Sequence, residues 1–184
     1  MSLFRKIVSG DDRKSRLHDA LGRRVTISRL MRNGTRAVSA AIANKITGWR
    51  PARPWIAYDG QALIDRHLRS DARILEFGSG MSTRWYAQRA VQVISHESNP
   101  EWHALVSRQL EQCSNVVLLN RAIGHGYHEI DPLYADTRFD FVMVDGYDRE
   151  QCVLSGLKHL ASGGMLYLDN SDMVGSGPMG DVQE

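Results

Sequence analysis

A chain of 184 residues, 42% of them hydrophobic, is long enough for one domain with a real core and too short for two of ordinary size. The net charge of +2 hides an asymmetry: residues 1–50 hold twelve Lys or Arg against three Asp, and the rest eleven against eighteen acids, so a basic arm (+9) precedes an acidic body (−7). No run reaches the roughly 18 apolar residues of a membrane span. Asp11, Asp12, Arg13 and Lys14 break any signal-peptide block, and Cys113 and Cys152 fit neither a disulfide framework nor a zinc pattern, so a cytoplasmic protein with reduced thiols is expected.

Residues 1–20, poor in apolar groups, read as a frayed helix or as disordered. From Val25 onward Ile27, Leu30, Met31, Val38, Ala41, Ile42, Ile46 and Trp49 recur at helical spacing, broken at Asn33-Gly34, which predicts two short helices. With Arg23, Arg24, Arg29, Arg32 and Arg36 on the polar side, the arm suits an anionic membrane surface or nucleic acid, or packing on its own body, a partner subunit or a second copy. An apolar stripe usually means burial, which favours packing. Pro51 and Pro54 then mark a linker, and 51–184 are expected to form the ligand-binding domain.

That body reads as helix (58–69), strand (73–76), helix (82–89), strand (91–96), helix (100–112) and strand (115–119). Pro100 suits a first turn behind Ser98 and Asn99. An irregular stretch (121–137) precedes a strand (139–144), a helix (149–159) and a strand (165–168). Its run from Gly124 to Tyr134 reads as a substrate-facing flap rather than a packed connection. Alternating strands and helices predict an α/β, Rossmann-like doubly wound parallel sheet with helices on both faces and ligands at the carboxyl ends of its strands.

The richest segment is Ile74-Leu75-Glu76-Phe77-Gly78-Ser79-Gly80-Met81-Ser82-Thr83, an apolar strand ending in a carboxylate, then a glycine turn and hydroxyls. Bare backbone at Gly78, Ser79 and Gly80 lets a ligand approach closely. Pyrophosphate is disfavoured there. At about 4 Å and an effective dielectric near 20, Glu76 would repel each phosphate charge by roughly 4 kcal/mol and attract an ammonium as strongly. Thr83 also stands where the dinucleotide fingerprint has its third glycine. S-adenosylmethionine fits better, its ammonium meeting Glu76 and its carboxylate the turn amides and the hydroxyls of Ser82 and Thr83. Glu97, 21 residues after Glu76 and at the end of the next strand, is placed to accept the ribose hydroxyls. Asn120 ends the third strand, where adenine is expected.

At these residues, and at Phe139-Asp140-Phe141-Val142-Met143-Val144-Asp145-Gly146 and Gly163-Gly164-Met165-Leu166-Tyr167-Leu168-Asp169-Asn170, the chain resembles the class I S-adenosylmethionine-dependent methyltransferases over roughly 55–172. Glu76 to Thr83 with Glu97, Trp102, Asp145-Gly146, Arg149 and Cys152 is similar to one bacterial group within them. The resemblance implies a methyl transfer and two further antiparallel strands closing the sheet. Only Ser171 to Glu184 follow, with loop character, so those strands are expected to be missing, either because the sequence is a fragment or because the edge is covered by the arm or by a partner, as in a homo-oligomer.

Asp145 ends the fourth strand and Asp169-Asn170 the fifth, which resembles the Mg²⁺ arrangement of catechol-type O-methyltransferases and makes all three candidate metal ligands. Turn chemistry explains the same residues. The lysine those enzymes carry after the first aspartate is absent, leaving Asp145 and Asp148 as catalytic candidates, with Tyr147 and His96 behind them. Trp102 and Tyr167 read as core, Trp55 and Tyr58 as flanking the pocket, the other histidines as surface or packing, and Arg149 as a local partner. The expected activity is O-methylation of a small-molecule hydroxyl on a sugar or phenol; the rivals are a nucleic-acid methyltransferase guided by the basic arm and a non-catalytic cofactor-binding module. Asp169-Asn170-Ser171-Asp172 lacks the signature of base amino methylases, which counts against nucleic acid.

Overall fold

The computed structural model describes residues 52–54 and 56–169. The expectations for the basic arm, for Trp55, for the Tyr58 side chain, for Asn170 and for the last strands lie outside the described residues.

The elements follow the predicted order: α1 (Tyr58–His67), β1 (Arg73–Phe77), α2 (Met81–Ala87), β2 (Gln92–Glu97), α3 (Pro100–Gln109), β3 (Val116–Asn120), a single 3-10 turn (Pro132–Tyr134), β4 (Phe139–Val144), α4 (Arg149–His159) and β5 (Leu160–Leu168). Asn99 caps α3, its Oδ1 accepting from the amides of Glu101 (2.9 Å) and Trp102 (3.0 Å), and Pro100 fills the first turn, where no amide is needed.

The five strands form one parallel sheet in the order β3-β2-β1-β4-β5. The order reverses between β1 and β4, the switch point where a crevice opens beyond the strand ends. This is the Rossmann-like α/β fold that the sequence resemblance implied. One strand departs from expectation. β5 begins at Leu160 rather than 165, because Leu160 pairs with Phe139 before the ladder resumes at Met165 opposite Phe141. The intervening residues bulge through Gly163, whose φ of +76° suits glycine.

Successive side chains of a strand point to opposite faces, and both faces here are covered. Ile74, Val93, Phe141 and Met143 pack with Ile64 of α1 and Trp85 and Tyr86 of α2. Leu75, Phe77, Ile94, Val142 and Val144 pack on the other side with Cys152 of α4 and with Tyr127 from the irregular connection. Glu76 belongs by alternation to the α2 face, and that decides what it touches.

Among the described residues no helix is long and apolar enough to cross a membrane.

Candidate functional site: a glycine turn between two buried carboxylates

Beyond the ends of β1, β2 and β4 the backbones lie close together. The Gly78 amide donates to the His96 carbonyl (2.9 Å) and the Asp145 amide to the Phe77 carbonyl (2.9 Å). Gly78 has φ +100°, and a Cβ there would lie 2.8 Å from the carbonyl carbon and oxygen of Asp145 and the nitrogen of Gly146. Fold and turn both demand glycine at this position. Gly80 differs, because a Cβ on it would meet nothing closer than 4.0 Å. A methyl there would make only ordinary van der Waals contact with Ser82 Oγ and the Trp102 ring.

Glu76 is fully buried beneath the turn. Its carboxylate accepts from Ser82 Oγ (2.5 Å), Thr83 Oγ1 (2.6 Å) and Ser95 Oγ (2.7 Å). Burial pushes its pKa from an ordinary 4.5 up to about 7, against the pull of the three hydroxyls, and the charge of Glu97 adds to the rise. The Ser82 and Thr83 hydroxyls both donate to Glu76, and Thr83 Oγ1 also accepts from the Gly80 amide (3.0 Å). Ser95, missed in the sequence, faces Glu76 in the β1–β2 register.

The raised pKa carries a prediction. The folded chain binds this proton more tightly than the unfolded chain, so the stability it contributes is present below about pH 4.5 and is lost as pH rises through about 7. The loss is on the order of 3 kcal/mol. Urea titrations across this window should show the decline in the wild-type protein and a flatter profile in Glu76→Gln; equal slopes would mean that Glu76 ionises normally.

Glu97, at the end of β2, is 7% exposed. Its Oε2 accepts from the amide (3.2 Å) and hydroxyl (2.8 Å) of Ser79, and its Oε1 from the Asn99 amide (2.9 Å). The indole of Trp102 donates to the Ser79 carbonyl (2.8 Å). Trp102 is therefore not core, as its helical spacing implied; it braces the turn from α3. Asn120 lies beside Glu97 in the β2–β3 register and is exposed.

The irregular connection does not hang free as a flap. Tyr127 is 1% exposed, its ring 6.2 Å from that of Phe77, and His96 Nδ1 bonds its carbonyl (2.7 Å). A Cβ on Gly146 would fall 1.9 Å from the Tyr127 hydroxyl, so glycine at 146 makes room for this ring. His96 is fully buried against Phe77, and that burial lowers its pKa. Around the same connection, Arg121 pairs with Asp131 (2.8 Å) and His128 Nδ1 with Asp148 Oδ2 (3.0 Å).

At the ends of β4 and β5, Asp145 and Asp169 are adjacent, next after the pair Val144 and Leu168. The Asp145 carboxyl is held above its ordinary range by burial and by the charge of Asp169, with Arg149 pulling the other way. Arg149, 2% exposed, donates to the carbonyls of Gly146 (2.9 Å) and Asp169, and its Nη2 lies 3.6 Å from Asp145 Oδ1. Its local role matches expectation. The guanidinium already supplies the positive charge that a cation would bring, and among the described residues no three His, Cys, Asp or Glu side chains converge as a metal site. The third candidate ligand, Asn170, lies outside the described residues.

No protein-family model matches the chain, and no curated protein matches it. Solved structures similar to it include a precorrin-8w decarboxylase from Methanobacterium thermoautotrophicum, at 20% identity over 61% of this chain and 62% of that one, with a TM-score of 0.49. An rRNA methylase from Streptococcus thermophilus is similar at 14% identity over 59% and 67%, with a TM-score of 0.48. A precorrin-6y methyltransferase from Geobacter metallireducens is similar at 18% identity over 56% and 57%, with a TM-score of 0.47. The chain spans about three fifths of the length of the first of these, matching 62% of it. Its own parallel strand order, β3-β2-β1-β4-β5, is what makes the fold Rossmann-like.

Proposed function

We propose that this chain is an S-adenosylmethionine-dependent methyltransferase acting on a hydroxyl group of a small molecule, a sugar or a phenol. The observation that carries the reading is the pair of buried carboxylates, Glu76 and Glu97, at the ends of adjacent parallel strands on either side of a glycine turn. Two acids there disfavour a pyrophosphate and favour a cationic ligand that carries a ribose. Bound at this turn, S-adenosylmethionine supplies a methyl group activated on a sulfonium.

The chain's own residues bind and orient. A carboxylate offers about four lone-pair sites, and Glu97 uses three of them on Ser79 and Asn99. One ribose hydroxyl takes the free site and a second replaces the Ser79 hydroxyl. Glu76 acts from beneath the turn as the anchor of Ser82 and Thr83, rather than by direct contact. Asp145, with a 32% exposed side chain at the end of β4, is assigned to the acceptor side, where it hydrogen-bonds the incoming polyol or phenol. Transfer to oxygen is a direct displacement, so alignment carries most of the rate and one proton must leave.

The acidic body argues against a polyanionic acceptor, which would have to approach a net −7. Heating the protein with and without S-adenosylmethionine tests the reading. Binding to the folded state alone raises the melting temperature with ligand concentration, and an unchanged melting curve at saturating ligand would refute it.

A further inference from the structure

Methyl transfer to a hydroxyl needs a proton acceptor, and the described residues offer one that the sequence did not single out. His128, on the connection after β3, bonds through Nδ1 to Oδ2 of Asp148 at 3.0 Å. The two side chains are 31% and 28% exposed, so the pair is held yet partly accessible to solvent. Asp148 precedes α4, where an aspartate ordinarily caps the helix by accepting its first amides. It makes no such bond. It is also the one non-glycine among the described residues with a positive φ, +49°. A left-handed backbone and a forgone cap both cost stability, and such costs collect at functional sites. Here their yield is a carboxylate turned from its own helix toward an imidazole.

The dyad stands at the rim already described. Asp148 lies three residues past Asp145, and His128 follows Tyr127, whose hydroxyl packs on Gly146 beside the amide of Gly78. A carboxylate that accepts from Nδ1–H fixes the imidazole tautomer and leaves Nε2 as a bare base.

We propose that His128 accepts the proton of the methylated hydroxyl and that Asp148 positions it; the assignment rests on the methyltransferase reading above. The acceptor oxygen's electron pair forms the new C–O bond as the bond between methyl carbon and sulfur breaks, its pair staying on sulfur to give S-adenosylhomocysteine. The hydroxyl proton goes to Nε2, Asp148 balances the imidazolium, and the proton then passes to water. Asp148, a catalytic candidate in the sequence, becomes the positioning residue.

The test separates a base from a clamp. His128→Asn keeps a side-chain N–H where Nδ1–H stood, so it preserves the bond to Asp148 and removes only the base. Calorimetry should find S-adenosylmethionine bound with unchanged affinity. Transfer of labelled methyl to a panel of phenols and sugars should fall about 10²–10⁴-fold in kcat. Nitrogen-15 NMR of the wild-type protein, which needs no acceptor, should show Nε2 of His128 unprotonated, and Asp148→Asn should shift the tautomer balance. Wild-type kcat in His128→Asn, or a protonated Nε2 in the neutral wild-type ring, overturns the assignment alone; failure of the wild-type protein to bind S-adenosylmethionine overturns the methyltransferase reading with it.

Discussion

Glu97→Ala should lose S-adenosylmethionine binding by two to four orders of magnitude. The Ser79 hydroxyl and amide would lose their acceptor, in a turn where Glu97 is 7% exposed. Two ribose hydroxyls would lose theirs as well. Hydrogen bonds to a charged group are worth roughly 1.5–3 kcal/mol each, so two missing ones correspond to about 10²–10⁴ in affinity. Glu97→Gln, which keeps one acceptor oxygen, should fall between mutant and wild type. Calorimetric titration of the three proteins gives the ranking. An unchanged dissociation constant in the alanine variant would mean that the ribose lies elsewhere, whatever the fate of the Ser79 contacts.

Gly78→Ala should be strongly destabilising. Its Cβ would press at 2.8 Å on three backbone atoms of Asp145 and Gly146, and backbone cannot swing aside as a side-chain tip does. The φ of +100° adds strain for any residue with a Cβ. Together these amount to about 3 kcal/mol or more, a large share of a typical domain's roughly 5–15 kcal/mol. Urea denaturation should show a clearly lowered midpoint and cofactor binding should be lost. Gly80→Ala is the control: it meets nothing closer than 4.0 Å, so stability should hold while binding drops. If Gly78→Ala unfolds at the wild-type urea concentration, the close apposition of β1 and β4 ends is not real.

What the sequence disclosed and what it withheld divide along one physical line. Elements with a period were legible: β1, β2 and β4 as apolar runs, α4 to the residue, and α3 from Asn99 and Pro100. Glu76 and Glu97 stood out because a carboxylate at the end of an apolar strand breaks the pattern. Partners set by register or by tertiary approach left no such mark. Ser95 reaches Glu76 only because β1 and β2 align those two residues. Trp102 has the spacing of a core residue, yet its indole turns to the Ser79 carbonyl. The connection after β3 has no period at all; its path depends on Gly124 and Gly126 at positive φ and on a tyrosine that fills the space left by Gly146. Tyr127 as a plug and His128 as the partner of Asp148 were therefore hidden, and the same stretch read as a flap.

The central claim is that the turn between Glu76 and Glu97 takes the methyl donor. Titrating S-adenosylmethionine into the full chain by calorimetry tests it most directly, with Glu97→Ala in parallel. The account predicts saturable binding at one site per chain, competed by S-adenosylhomocysteine and lost in the variant. No heat of binding at any concentration tried, or equal binding by the variant, would contradict it.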